Sequence, residues 1–527
     1  MFRQLGILAL AATATFAQDV DNEGADVHAE FWKKPWASSK GLQHLVKEKS
    51  LLDCAQTLED FAYATEGRNR LAGSKGHNDT VDFLYKELSK LNYYNVTLQP
   101  WSALIQESGD ANFTLDGEKQ STSIFSYSPS GNATSPLVIV DNLGCEASDY
   151  PAELSGKIAL ISRGECEFGA KSVSAGLAGA VGAVIYNNVP GDLNGTLGVP
   201  SPDRPYVPTV GLSQEAGAAV IAKIQGGAEV IGELSTYSVI KETFTNNVLA
   251  TTKGGDQDNI LAVGAHSDSV AEGPGINDDG SGICGLLEVA KDLARFKTKN
   301  AVRFGWWSGE EEGLLGSTYY VATLSEPEAA KIKAYLNFDM IASPNYYYAI
   351  YDGDGSTFNL TGPPGSAELE HFFEDFYTKK GLNFTATEFD GRSDYGPFLD
   401  VGIASGGTFT GAEGIKTEEE AAQFGGEAGV PYDVNYHQAG DNVTNLALDA
   451  FEVNTKGIAA AVGTYSISFE GLNLNTTTVA RRGAPAARLA KRWNKQLLKR
   501  NFDLQTARRR YADKKCGSKS HDYHLYK

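Results

Sequence analysis

Asn259-Ile260-Leu261-Ala262-Val263-Gly264-Ala265-His266-Ser267-Asp268 decides the fold: an apolar run that ends abruptly in an imidazole, a hydroxyl and a carboxylate. A run of this length between polar stretches reads as a strand buried on both faces. Two more follow, Asn300 to Trp307 and Ile332 to Phe338, with helical spacing of apolar residues between them, Ile283 to Leu293 and around Leu314 to Leu324. Strands alternating with amphipathic helices argue for an α/β fold, a mixed sheet with a parallel centre and helices on both faces. Ligands of such sheets gather beyond the carboxyl ends of the strands. There the chain places His266-Ser267-Asp268, then Asn277-Asp278-Asp279-Gly280 after a Gly-rich loop, then Glu310-Glu311-Glu312, then Asp339. Far downstream, Tyr436-His437-Gln438 adds a second imidazole.

Each piece alone has a plain explanation. A single His after a strand is often structural, Asp-Asp-Gly is a common turn, and a run of Glu suits a helix start. Those explanations do not account for polar clusters at successive strand ends of one sheet. Imidazoles and carboxylates without thiolate suit zinc or another borderline divalent ion, and five such ligands with one bridging carboxylate are what two ions about 3.5–4 Å apart require. The set implies a two-metal hydrolase.

Outward from this block, the 527 residues carry a net charge of −20, yet residues 481–527 alone carry +12 and the rest −32. An acidic body repels phosphate backbones, which argues against nucleic acid as a partner. The N-terminus has one Arg, an uncharged run from Leu5 to Ala17 and small residues at its end, the pattern of a signal peptide over 1–17; it falls short of the ~20 residues that span a bilayer, and no other segment reads as a membrane anchor. Nine Asn-x-Thr sequons, at Asn78, Asn95, Asn112, Asn132, Asn194, Asn359, Asn383, Asn442 and Asn475, fit a glycoprotein of the secretory pathway, extracellular or vacuolar. Of five cysteines, Cys145 and Cys166 are the candidate disulfide pair, whereas Cys284 lies in an apolar helical run and reads as core. Residues 18–40 read as a propeptide or poorly ordered arm. Two helices lie between about 41 and 91, joined by the Gly-bearing loop Gly67-Arg68-Asn69-Arg70-Leu71-Ala72-Gly73-Ser74, and strands follow to about 128. The basic tail 481–527 reads as disordered or processed, with a basic amphipathic helix around Leu489 to Leu498 and dibasic sites as alternatives.

Residues 131–235 have their own texture of short strands and small-residue helices. Gly-Lys-Ile-Ala-Leu-Ile-Ser-Arg-Gly-Glu-Cys-Glu-Phe (156–168) and Gly-Ala-Val-Gly-Ala-Val-Ile-Tyr-Asn-Asn (179–188) resemble the protease-associated domain, a non-catalytic insert that either gates substrate access or acts as a spacer. The flanking segments 41–130 and 236–480 then form one peptidase domain.

Val263-Gly-Ala-His-Ser-Asp-Ser-Val270, Gly273-Pro-Gly-Ile-Asn-Asp-Asp-Gly-Ser-Gly282, Trp306-Trp-Ser-Gly-Glu-Glu-Glu-Gly-Leu-Leu-Gly-Ser317, Asn337-Phe-Asp-Met-Ile341, Asp390-Gly-Arg-Ser-Asp-Tyr-Gly-Pro-Phe398 and Tyr436-His-Gln438 resemble the co-catalytic dizinc aminopeptidases, in particular the aminopeptidase Y group with its inserted protease-associated domain. The resemblance spans about residues 42–470. It implies a zinc exopeptidase-like fold and two Zn²⁺ ions per chain: His266 and Asp339 on one, Glu311 and His437 on the other, Asp278 between them, and Glu310 as general base. Glu312 has no matching polar role and reads as surface. Asp268 is expected to orient the His266 imidazole, as metal-binding histidines usually require. Tyr436 is placed to donate to a developing oxyanion. Arg392 and Asp394 resemble positions that line the site, with Asp394 supporting a ligand. One departure stands out: where relatives often carry a cysteine before Tyr-His and another three residues after the His, this chain has Asn435 and Gly440.

The implied activity is a secreted or vacuolar zinc aminopeptidase acting as a monomer on peptides with a free N-terminus. A catalytically silent binding protein of the same fold is a rival that the intact ligand set and Glu310 oppose. A carboxypeptidase-like or acyl-transferring relative is a second.

Overall fold

A computed structural model describes residues 34–200 and 205–474. The signal segment 1–17, residues 18–33 of the arm, the tail 481–527, the sequon at Asn475 and the fifth cysteine, Cys516, lie outside the described residues. Residues 34–40 belong to the body rather than to an arm. The Ala37 N–H donates to the Lys297 carbonyl at 2.9 Å, the Lys297 N–H returns to Pro35, and Ala37 is buried. Trp36 pairs with Lys297 in an isolated parallel bridge.

The strands are β1 (Tyr94–Leu115), β2 (Glu118–Lys119), β3 (Thr122–Ile124), β4 (Gly131–Ile139), β5 (Ile158–Ser162), β6 (Gly182–Tyr186), β7 (Thr209–Leu212), β8 (Ile231–Thr252), β9 (Asp256–His266), β10 (Asn300–Trp307), β11 (Ile332–Phe338), β12 (Ala349–Tyr351), β13 (Thr385–Thr387) and β14 (Ser405–Phe409). Their order across the molecule is β13-β12-β14-β11-β9-β10-β8-β4-β5-β6-β7-β3, with β1 against β8. Pairing is parallel from β14 through β11 and β9 to β10 and antiparallel from β10 to β8, the mixed sheet with a parallel centre that the apolar runs imply. In β9 every side chain from Ile260 to His266 is buried, as a strand covered on both faces requires.

Helices Glu48–Tyr63, Lys75–Lys90, Gly280–Leu293 and Leu448–Tyr465 send apolar side chains into one large core with these strands. Cys284 is buried in that core, and it is not a free thiol: it is bonded to Cys54 across 230 residues. Cys145 and Cys166 form the second disulfide.

The smaller α/β unit holds β4, β5, β6 and β7 in parallel succession, with helices Phe168–Leu177 and Gln214–Gln225, around two cores of its own. It is joined to the rest by a long ribbon. β1 and β8 pair from Tyr94↔Thr252 to Leu115↔Gly232; one end of β8 pairs with β10, the other with β4. Residue 235 lies inside β8, so the chain leaves the insert in mid-strand. A further apolar cluster unites Tyr127 and Val199 on the insert side with Leu71, Trp101, Leu315 and Tyr319.

Register sets up the chemistry. His266 pairs with Trp307 and Gly264 with Asn337, so β9, β10 and β11 end together and release His266, the 308–314 loop and Asp339 at one edge.

Candidate active site

His266 ends β9 with its imidazole almost fully buried; its Nε2 lies 3.0 Å from Asp278 Oδ1 and 3.5 Å from Asp339 Oδ1. The other oxygen of Asp278 faces the second histidine: His437 Nε2 is 3.2 Å from Asp278 Oδ2 and 3.0 Å from Glu311 Oε2. His266, Asp278 and Asp339 form one group able to hold a cation, and Asp278, Glu311 and His437 a second, with Asp278 common to both. All five ligand candidates read from the sequence, three at strand ends and two in loops, therefore converge.

The donors suit a metal better than they suit one another. His437 Nε2, Asp339 Oδ1 and Glu311 Oε1 are buried without a hydrogen-bond partner, although carboxylates and imidazoles crowd together. Buried polar atoms are otherwise nearly always paired. Nitrogen and carboxylate oxygen without sulfur is a zinc donor set. The crowding also shows in proton affinity. Burial alone would lower the pKa of His266, but Asp339 and Asp278 hold it well above the ordinary imidazole range. Glu310 is pushed well up by burial, opposed by His266 and reinforced by Asp339, Asp394 and Glu311.

The description "Peptidase family M28" matches residues 247–462, and "PA domain" matches residues 133–220. "Probable leucine aminopeptidase 2" of Aspergillus fumigatus is 53% identical over 455 residues, 85% of this chain and 90% of the relative. The chain belongs to peptidase family M28. "Leucine aminopeptidase 2" of Arthroderma otae is 49% identical over 453 residues, covering 86% of this chain and 91% of that relative. Among solved structures, an aminopeptidase from Aneurinibacillus sp. strain AM-1 matches with a TM-score of 0.67 at 27% identity, over 81% of this chain and 95% of the other. The fold is shared by a zinc aminopeptidase from Bacillus subtilis, with a TM-score of 0.56 at 24% identity, over 79% and 94%. This M28 chain is a metallo-aminopeptidase, a hydrolase of peptide bonds, with a protease-associated domain inserted ahead of its M28 segment.

In this M28 peptidase Asp268 sits 3.8 Å from His266 Nδ1, beyond hydrogen-bond reach, and its Oδ1 accepts instead from the backbone N–H groups of Gly309 and Glu310 at 2.8 and 3.2 Å. Its firmest bonds therefore fix the loop that carries Glu310 and Glu311. Asp394 is buried with burial raising its pKa to about 7, but it bonds no ligand; its neighbour Ser393 does, donating to Asp339 Oδ2 at 2.6 Å. Arg392 lies at the rim, paired with Glu413 at 3.0 Å. Tyr436 stacks on the His437 ring with centroids 3.8 Å apart. Its hydroxyl stays protonated, because burial and then Asp278 and Glu311 push its pKa well up.

Glu312 is not on the surface. It is buried and accepts a hydrogen bond from the Tyr127 hydroxyl, and burial raises its pKa to about 8. Its partner Tyr127 lies far off in the sequence, which a local reading of three consecutive Glu residues cannot foresee.

Several supporting residues carry no motif. Asp279 accepts from the backbone N–H groups of His266, Gly282 and Met340, tying β9, the helix start and the chain after β11 together. Asp441 accepts from Asn277 N and Asp278 N, which aims the shared carboxylate. Arg70, fully buried, donates to the carbonyls of Ser267, Pro274 and Gly275 at 2.6, 2.9 and 2.6 Å. Where a cysteine pair would clamp the Tyr436-His437 loop, Asn435 donates to Asn445 at 2.7 Å, and a β-carbon on Gly440 would stand 2.1 Å from Asn435 Oδ1. The small residue at 440 makes room for the Asn435 amide, so hydrogen bonds among Asn435, Asp433, Asn445 and Asp441 hold this loop.

Proposed function

We propose that this chain releases N-terminal amino acids from peptides in the secretory lumen, a vacuole or the exterior, with one Zn²⁺ held by His266, Asp278 and Asp339 and another by Asp278, Glu311 and His437. The observation that carries the reading is the placement of Asp278, whose two oxygens face different imidazoles, each inside its own ligand group. Zinc bound there supplies Lewis acidity, bringing the pKa of water toward neutrality and polarising a peptide carbonyl. Glu310, next to a ligand in sequence, takes the proton of the attacking water and delivers it to the departing amine. Tyr436 donates its hydroxyl hydrogen to the oxygen where negative charge develops. Asp268 fixes the backbone N–H of Glu310 and so holds the base in place. The acidic surroundings favour a substrate's free ammonium group, which supports exopeptidase action. The relatives named leucine aminopeptidase 2 support a substrate whose first side chain is apolar.

The Glu310→Gln enzyme tests this. It should retain two zinc ions per chain by elemental analysis while turnover of leucine amides falls by about 10²–10⁴. An N-acetylated peptide should resist the native enzyme. Unchanged turnover in Glu310→Gln, or equal cleavage of acetylated and free peptides, would sink the proposal.

A further inference from the structure

Outside the active site, Asp352, Asp354 and Glu370 form a third group of carboxylates with ligand atoms within 4.8 Å of one another. The segment Asp352-Gly353-Asp354-Gly355-Ser356 begins where β12 ends, and Glu370 comes from the helix Ser366–Lys380. Each carboxylate commits one oxygen to backbone donors. Asp352 Oδ2 accepts from Thr357 N and Phe358 N at 3.1 and 2.7 Å, Asp354 Oδ1 from Ser356 N at 2.7 Å, and Glu370 Oε2 from Asp354 N at 2.9 Å. One oxygen on each is left over. The decisive one is Asp352 Oδ1, on a fully buried side chain and without any hydrogen-bond partner.

A buried ionised oxygen without a partner is costly, and three carboxylates held together repel one another. Among the described residues no Lys or Arg pairs with the three; the exposed His371 stands 3.9 Å from Asp354. Burial raises Glu370 to about 7, opposed by the Asp354 N–H and reinforced by the Asp354 and Asp352 charges, whereas hydrogen bonds from Ser356 hold Asp354 below the ordinary carboxylate range. The three carboxylates thus form an anionic cluster in which the unpartnered Asp352 oxygen would suit a cation.

We propose that Asp352, Asp354 and Glu370 bind a calcium ion. The donors are all oxygen, with no imidazole or thiolate, which favours a hard cation over zinc. Asp-x-Asp-x-Ser places side-chain oxygens at alternate positions of a tight loop, as in calcium-binding loops, and Glu370 supplies the distal carboxylate from a helix. Gly355, at φ 74°, makes the turn that brings Asp354 and Ser356 round. The ion would join the loop after β12 to that helix. The Asp352 N–H also bonds to Thr387 at the end of β13, from which the chain runs on to Ser393 and the Asp339 ligand, so the ion braces one wall of the active site without touching it.

The test is equilibrium dialysis of the zinc-loaded full chain against calcium chloride, with a thermal melt at each concentration. One calcium per chain should bind with Kd of about 10⁻⁵–10⁻³ M, raising Tm by several degrees, and magnesium at equal concentration should not reproduce the rise. Asp354→Asn and Glu370→Gln leave the Asp352 loop contacts in place; each should weaken calcium binding at least tenfold while zinc content and turnover of saturating substrate stay near native. Absence of saturable calcium binding to the native chain, an equal response to magnesium, or undiminished binding in the Asp354→Asn/Glu370→Gln double variant would overturn the assignment.

Discussion

Arg70→Met is expected to destabilise the protein by about 4–6 kcal/mol and to strip the active site of metal. The side chain is fully buried and forms no ion pair at contact distance; it donates to three backbone carbonyls, two of them within the Gly273–Gly275 segment and one next to His266. A hydrogen bond from a charged donor contributes about 1.5–3 kcal/mol, so three are worth roughly 4.5–9. Methionine returns part of this, because the guanidinium no longer has to be desolvated, and burial is the dominant influence lowering the Arg70 pKa. The carboxylates of Asp268, Asp279, Asp441 and Asp278 act in the opposite direction and would lose a compensating positive charge. A loss of this size is a large part of a typical stability of 5–15 kcal/mol. Guanidinium unfolding followed by fluorescence would read it, with elemental zinc analysis and kcat/KM for a leucine amide measured alongside. Arg70→Lys, whose ammonium cannot span three carbonyls in fixed directions, should fall between native and Arg70→Met. A methionine variant that unfolds at the native midpoint and keeps native zinc and activity would refute the reasoning.

His77 is buried between Ser267 and Thr245, and burial, then Arg70 and His266, lower its pKa from 6.5 to about 3. The unfolded chain binds the extra proton between those values, so this residue's stabilisation is complete above pH 6.5 and is lost as pH falls toward 3. From pH 8 to 4.5 the loss is about 2.7 kcal/mol, and urea unfolding of His77→Gln should show an acid limb shallower by about that amount. Removing the Cys54–Cys284 disulfide by paired Ala substitution opens a 230-residue loop; the chain-entropy relation puts the cost at about 5 kcal/mol, readable as a lowered denaturant midpoint. Tyr127→Phe deprives Glu312 of its donor and should cost about 1–3 kcal/mol, together with a several-fold drop in kcat/KM because Glu310 and Glu311 share that loop; an unchanged midpoint and unchanged kinetics would disconnect the Tyr127–Glu312 contact from the active site.

The ligand set was legible because chemistry at strand ends leaves a pattern: apolar runs fix β9, β10 and β11, and His266, Glu310, Glu311 and Asp339 follow each run directly. Asp278 and His437 stood out by their polar neighbours. The residues that hold these groups left no such trace. Arg70 and Asp279 act on backbone atoms of segments brought close only by folding, and Asp441 reaches back to Asp278 from far along the chain. Ser393 carries no such mark beside the more conspicuous Asp394, since a hydroxyl that meets a carboxylate brought near only by folding obeys no local spacing. Glu312 was misread for the same reason: its partner, Tyr127, belongs to a different region of sequence. Cys284 looked like any small apolar side chain in its helix, and nothing within either helix marks Cys54 as its mate.

The β1–β8 ribbon is a stiff lever rather than a tether. Torque on its far end, where Gly131–Pro136 grips Ile231–Thr236, meets one irregular step, the register shift between Gln106 and Ser108, before reaching Val248–Thr251, which pair with β10, the neighbour of the strand that ends in His266. A peptide or antibody fragment wedged against the outer unit would therefore be felt at the metal ligands as strain in the sheet, even without covering the entrance.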